Sequence, residues 1–156
     1  MSIKGAPSWV NEGNQALKDG NRRFFRGVGQ APNMNDFSLQ TSTADNRARA
    51  EVAQIFSSFM DIANHDYSAT TKDDMALTNE QIVSRTIQNL TKLNLSGVQI
   101  IARWKNPKTG DIYSLAELDL KQFKTVSQTT KTMDANIQKY LNNNAQSIFD
   151  TMIKGK

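Results

Sequence analysis

The most regular hydrophobic spacing in the chain lies between Thr41 and Asn64. There Ala48, Val52, Ile55, Phe56, Phe59, Ile62 and Ala63 recur at offsets of three and four. That spacing places them on one stripe of a helix, with polar residues on the other side. Ser42 or Thr43 can cap the start. Asp45 and Arg49 form an i,i+4 pair with the acid on the N-terminal side. A second helical pattern carries Ile82, Val83, Ile87 and Leu90. It opens on Thr78 and Gln81, a capping-box pair, and ends near Asn94 to Gly97. The polar stretch HDYSATTKDD between the two reads as an exposed loop.

Two regions have strand spacing instead. Arg22 to Gly29 puts Phe24, Arg26 and Val28 on one face and Phe25, Gly27 and Gly29 on the other. The stretch GVQIIARWKNPKTGDIYSLAELDL is the clearest hairpin. Val98, Ile100, Ala102 and Trp104 share one face of its first strand. Ile112, Ser114, Ala116, Leu118 and Leu120 share one face of its second, and NPKTG supplies Pro107 and Gly110 for the turn. Trp104 is therefore expected in the core.

Apolar residues return with helical spacing from Gln122 to Ile153: Phe123, Val126, Met133, Ile137, Tyr140, Leu141, Ile148, Phe149 and Met152. One unbroken helix there would be about 48 Å long, more than a compact domain of this size accommodates. The weak helix formers Asn142 to Asn144 mark a place for a break or bend. An unbroken amphipathic helix would instead overhang and need a partner. Residues 1–21 carry turn material (Gly13, Gly20, Asn21) and at most a short helical turn around Val10 to Leu17.

The pattern gives an α+β domain: an antiparallel sheet of about three strands packed against helices, with a long C-terminal helix. One domain spans 1–156, with residues 1–21 an N-terminal extension, 22–120 the sheet–helix core and 121–156 the C-terminal helical segment. No repeat, low-complexity tract or clear linker divides it.

Composition narrows the chemistry. The chain has no cysteine and a single histidine, His65, which excludes disulfides, thiolate chemistry and a multi-histidine zinc site. A Ser-His-Asp triad would have to use His65, and no G-x-S-x-G accompanies it. His65, beside Asp66 and near Asp61, reads as a solvated helix-end residue whose positive charge suits the helix dipole. The carboxylates Asp73 and Asp74 read as solvated. Glu117 and Asp119 share one strand face with Tyr113 and Leu115, and acid–base use would require a cleft around them. A net charge of +4 gives only a weak preference for anionic partners. No apolar run approaches a membrane span, and MSIKGAPSWV has no signal-peptide core.

The stretch RRFFRGVGQAP combines cations, aromatics and Gly-x-Gly. As a phosphate loop it fails, because Pro32 stands where the dinucleotide fingerprint wants glycine or alanine and PNMND separates it from the next helix. As a nucleic-acid platform it offers at most one exposed aromatic, since Phe24 and Phe25 face opposite ways. A sheet strand is the expected reading, with glycines that permit close backbone approach or a sharp turn.

The order of PSWV, FFRGVGQA, ADNRARAEVAQIF and LSGVQIIARWKNPKTGDIYSLAELDL resembles a bacterial envelope family named for a twenty-kilodalton surface lipoprotein. That family includes flagellum-associated outer-membrane lipoproteins. The likeness covers about Pro7 to Leu120. It rests on Trp9, Gly27, Gly29, Ala48, Arg49, Ala50, Glu51, Gly97, Trp104, Pro107, Gly110 and Tyr113, which look like scaffold positions. The resemblance implies a helix packed on an antiparallel sheet, and export with a lipid on an N-terminal cysteine. It implies no catalytic residues and no cofactor or metal. It points to a non-enzymatic structural or assembly protein acting through protein partners in the envelope, as a homo-oligomer, with motility one such setting.

The absence of cysteine departs from the family pattern. A chain starting just after the lipidated residue accounts for that, and so does a cytosolic or unlipidated relative. Periplasm or outer membrane is the expected location and cytoplasm the alternative, with membrane contact only through the lipid anchor. The alternative function is a small basic module for nucleic acid or another anion, resting on Arg22 to Arg26, although nucleic acid is not the expected partner.

Overall fold

In the computed structural model, residues 3–70, 76–129 and 135–154 are described. The order is α1 (Ser8–Glu12), β1 (Gln15–Asp19), β2 (Arg22–Ala31), α2 (Phe37–Thr70), α3 (Ala76–Leu95), β3 (Gln99–Lys105), β4 (Ile112–Asp119), α4 (Leu120–Thr129) and α5 (Ala135–Lys154). The strands form one antiparallel sheet in the order β1-β2-β4-β3. The fold is α+β, with helices on the sheet and a long C-terminal helix.

Helix α2 is the centre of the assembly. Its stripe forms as the spacing predicts: Ala48, Val52, Phe56, Phe59 and Ala63 are completely inaccessible, and Ile55 and Ile62 pack against them. It starts earlier than predicted. Asp36, rather than Ser42 or Thr43, is the cap, accepting the Leu39 N–H at 3.0 Å. It also ends later, so His65 to Thr70 are helical where a loop was expected. Asp73 and Asp74 lie outside the described residues, as does the side-chain cap pairing expected of Thr78 and Gln81. Helix α3 begins at Ala76 and ends at Leu95, where the Gly97 N–H donates to the Asn94 carbonyl.

The sheet face under α2 carries Phe25, Gly27, Gly29, Ser114, Ala116 and Leu118, because directly paired residues share a face. Phe25 meets Phe56, Phe59 and Phe149 edge-on, with centroids 5.2 to 5.4 Å apart, and Phe123 closes against Phe56 and Phe59. Edge-to-face contacts of this kind add specificity to apolar burial.

Residues 3–21 depart from expectation. Instead of a helical turn over Val10 to Leu17, they form α1 and an edge strand, β1, which pairs with β2 and buries Ala16 in the core. The C-terminal pattern also resolves differently. Helix α4 ends at Thr129, and α5 starts at Ala135 and runs straight through Asn142 to Asn144. The Asn144 side-chain amide donates to the Tyr140 carbonyl at 2.8 Å, one turn back. Helix α5 folds onto α2, α4 and β1. It buries Ile137, Leu141, Ala145, Ile148 and Phe149 in the main core, so the predicted overhang does not occur.

The β3 expectation fails at one residue. The register slips between Ile100 and Ala102, which leaves Ile101 unpaired and 44% exposed. A one-residue bulge reverses the facing of everything beyond it. Ile100 stays with Ala116 on the helix face. Ala102 and Trp104 pair with Leu115 and Tyr113 on the opposite face, and Arg103 turns under α2. Trp104 is consequently half-buried outside the core cluster, tilted against Tyr113 at 5.6 Å.

Candidate functional site

Strand β2 carries the residues that the sequence singles out, and its two faces treat them differently. On the helix face, Gly27 and Gly29 let α2 rest directly on the strand. A Cβ at Gly27 would sit 2.5 Å from the Ala48 carbonyl oxygen and 2.7 Å from the Val52 nitrogen. A Cβ at Gly29 would collide with the Ala44 carbonyl oxygen and the Ala48 nitrogen. The Gly-x-Gly is a helix seat, and the helix fills the space a phosphate would need.

On the other face, Phe24 is only 4% exposed. The guanidinium groups of Arg22 and Arg26 lie 4.6 and 5.4 Å from its ring centroid. Arg26 donates to Glu117 at 2.8 Å, and Arg22 lies a looser 3.9 Å from Asp119. This ladder is what the cross-strand register predicts, with Arg26 opposite Glu117 and Phe24 opposite Asp119. It occupies the carboxylates considered above for acid–base work. It also covers the aromatic that a base would have to stack on. Helix α1 contacts β4, and Leu115 and Tyr113 are buried on this face. Burial pushes the Tyr113 hydroxyl up in pKa, and the charge of Asp111 adds to that.

Arg23 points to the helix side and makes a bidentate pair with Asp150 of α5, at 2.8 and 2.9 Å. Those bonds hold the Asp150 carboxyl below its ordinary value against a smaller burial effect, with Lys18 and Lys154 assisting. A cleft of about 560 Å³ opens beside this pair, where β2 begins, β4 ends and α4 and α5 come together. Arg22, Arg23, Asp119, Lys121, Asn21 and Gln146 line it.

A second polar group lies between helix and sheet. Asp45, 8% exposed on α2, accepts from Arg103 at 2.9 and 2.7 Å and from the Ser114 hydroxyl at 2.6 Å. Burial pushes its carboxyl up, but the Arg103 and Ser114 bonds, with the nearby charges of Arg103 and Arg49, outweigh this and hold it below its ordinary value. The sequence pairs Asp45 with Arg49. The structure gives the contact to Arg103, which the bulge turns inward, and leaves Arg49 to act on Asp45 through its charge alone.

The remaining expected positions are scaffold or surface. Trp9 is half-buried in α1, Pro107 is exposed at the hairpin tip, and Gly110 takes a φ of +77° that suits glycine. A Cβ at Gly97 would meet only the end of the Gln122 side chain. His65 is exposed on α2, short of its end. Among the described residues, no group of three or more histidines and carboxylates is placed to hold a metal ion. No helix among them is long and apolar enough to cross a membrane.

Two large apolar side chains stand out at the start of α2: Phe37 is 67% and Leu39 56% exposed. The backbone beneath them is tied down. The Gln40 side chain donates to the Gly110 and Ala31 carbonyls, and the Asn33 N–H donates to Asp111. Helix periodicity missed this pair because both residues precede the predicted start. The signal that could have found it is Asp36 followed by Phe37 and Leu39. In comparison with known proteins, no family model matches the chain and no curated protein matches it.

Proposed function

We propose that the protein is a non-enzymatic assembly component of the bacterial envelope, working through protein–protein contacts that include other copies of itself. The observation that carries the reading is the exposed Phe37 and Leu39 on a helix turn held rigidly to the β3–β4 hairpin tip. Exposed apolar groups on an ordered frame are suited to contact with another protein. The sequence resemblance supplies the envelope setting. Two features weigh against the nucleic-acid alternative: Phe24 is covered, and Arg23 and Arg26 are tightly paired.

The test has two parts. Fractionation of source cells with intact-mass analysis should find the native protein in the envelope with a lipidated N-terminal cysteine. A cytosolic, unmodified native chain would remove the envelope role. Sedimentation velocity should show concentration-dependent association that Phe37→Asp with Leu39→Asp abolishes. Association unchanged in that double variant would dissociate the function from this patch.

A further inference from the structure

We infer that the cleft between the start of β2 and the first turn of α4 binds a phosphate-class oxyanion, held by Arg22 and Lys121. The proposed assembly role neither requires nor supplies this site. The cleft's volume, about 560 Å³, lies in the range of small-ligand sites. Its walls carry the cations Arg22, Arg23 and Lys121 against the single acid Asp119. Arg23 is committed to Asp150, so the charge available to a ligand comes from the other two cations.

Arg22 is poised for this use. Its side chain is 68% exposed, and its one ionic contact among the described residues is the loose 3.9 Å approach to Asp119. Its guanidinium lies over the Phe24 ring at 4.6 Å. That contact restrains the group, and its side chain donates no hydrogen bond among the described residues. A pre-set donor fork loses less freedom on binding, and its geometry matches an oxyanion. Lys121 is exposed and has no ion pair among the described residues. The uncharged polar residues Asn21 and Gln146 complete the lining.

Asp119 shapes the selectivity. Its Oδ1 accepts the Lys121 backbone N–H at 2.9 Å, so the carboxylate is held in the wall. A compact anion need displace only its loose contact with Arg22. An extended polyanion following the strand would also meet Glu117, on the same face as Asp119, which disfavours a nucleic-acid strand.

The experiment is an amide NMR titration of the full chain with inorganic phosphate, against sodium chloride at matched ionic strength. Saturable shifts at Asn21, Lys121 and the Gln146 side chain are expected with phosphate alone. Arg22→Gln and Lys121→Gln should each weaken binding about tenfold, while Lys108→Gln at the hairpin tip should leave it unchanged. Equal shifts with chloride, or undiminished binding by both folded cleft variants, would overturn the site.

Two further arms separate the sources of the phosphate. Glycerol 3-phosphate reproducing the shifts, with no binding to phosphatidylglycerol vesicles, indicates a soluble ester. Cosedimentation with those vesicles that both cleft variants lose indicates a lipid headgroup. Vesicle binding that both variants retain would count against the cleft.

Discussion

Phe24 and Phe25 are neighbours in the chain and point to opposite sides of one strand. Both are nearly inaccessible, at 4% and 0%. Phe25 is enclosed by other rings, with Phe56, Phe59 and Phe149 all edge-on to it. Phe24 is covered by two guanidinium groups, that of Arg26 paired closely with Glu117 and that of Arg22 only loosely with Asp119. One face excludes water by close packing of apolar groups from several helices. The other does so with long amphipathic side chains that keep their heads near water. The first arrangement is intolerant of any change in shape, while the second can rearrange.

The difference should appear first in these two rings. Phe25→Ala leaves a cavity between strand and helices that the surroundings cannot fill, and should cost about 4 kcal/mol. Phe24→Ala loses a comparable ring, but Arg22 and Arg26 can settle into the space, so about 2 kcal/mol is expected. Urea unfolding midpoints of the two variants decide this. Equal losses would show that the charged face is packed as rigidly as the core.

Glycine positions sharpen the same contrast. At Gly29 a methyl group would strike α2 backbone, which can yield only if the helix lifts from the sheet. Gly29→Ala should therefore cost about 3 kcal/mol, the upper range for overpacking. At Gly97 the same methyl meets only the tip of Gln122, a side chain that can swing away. Gly97→Ala should change stability by less than about 0.5 kcal/mol. A mild Gly29→Ala phenotype would mean that α2 floats on the strand instead of seating in it.

How much of this was legible depended on whether a residue's neighbours were set locally. The α2 stripe and the two faces of β2 follow from spacing alone, and the structure keeps them. Strand β1 does not: QALKD has little strand character, and it is extended because β2 offers it a hydrogen-bonding edge. The bulge at Ile101 was hidden because Val98 to Ala102 is apolar at nearly every position, so alternation fits two registers equally well. Asn142 to Asn144 are weak helix formers, yet burial of Leu141 and Ala145 on either side outweighs their propensity. The cleft was out of reach for the same reason. Arg22 and Lys121 are far apart in the chain and adjacent only because β2 pairs with β4. Phe37 and Leu39 were missed through a misplaced helix start.

Asp45 is the point where the helix face borrows the chemistry of the other one. Its folded pKa is depressed, so it contributes stability above the ordinary carboxylate range. That contribution is lost as pH falls through the folded value. Asp45→Asn should cost about 2 kcal/mol at pH 7, the scale of a charge-assisted pair with a hydroxyl bond. The gap between variant and wild type should close as the medium is acidified below the ordinary carboxylate range. Arg103→Gln tests the cause. Without the guanidinium, burial is the largest influence on the carboxyl, and its pKa should rise. The acid-induced loss attributable to Asp45 should then disappear. Unfolding curves at pH 7 and at pH values below the carboxylate range, with an NMR titration of the Asp45 carboxyl, read both effects. A carboxyl that titrates alike with and without Arg103 would mean that Ser114 and the charge of Arg49 hold it ionised. The bulge that turns Arg103 inward would then have no electrostatic consequence for the fold.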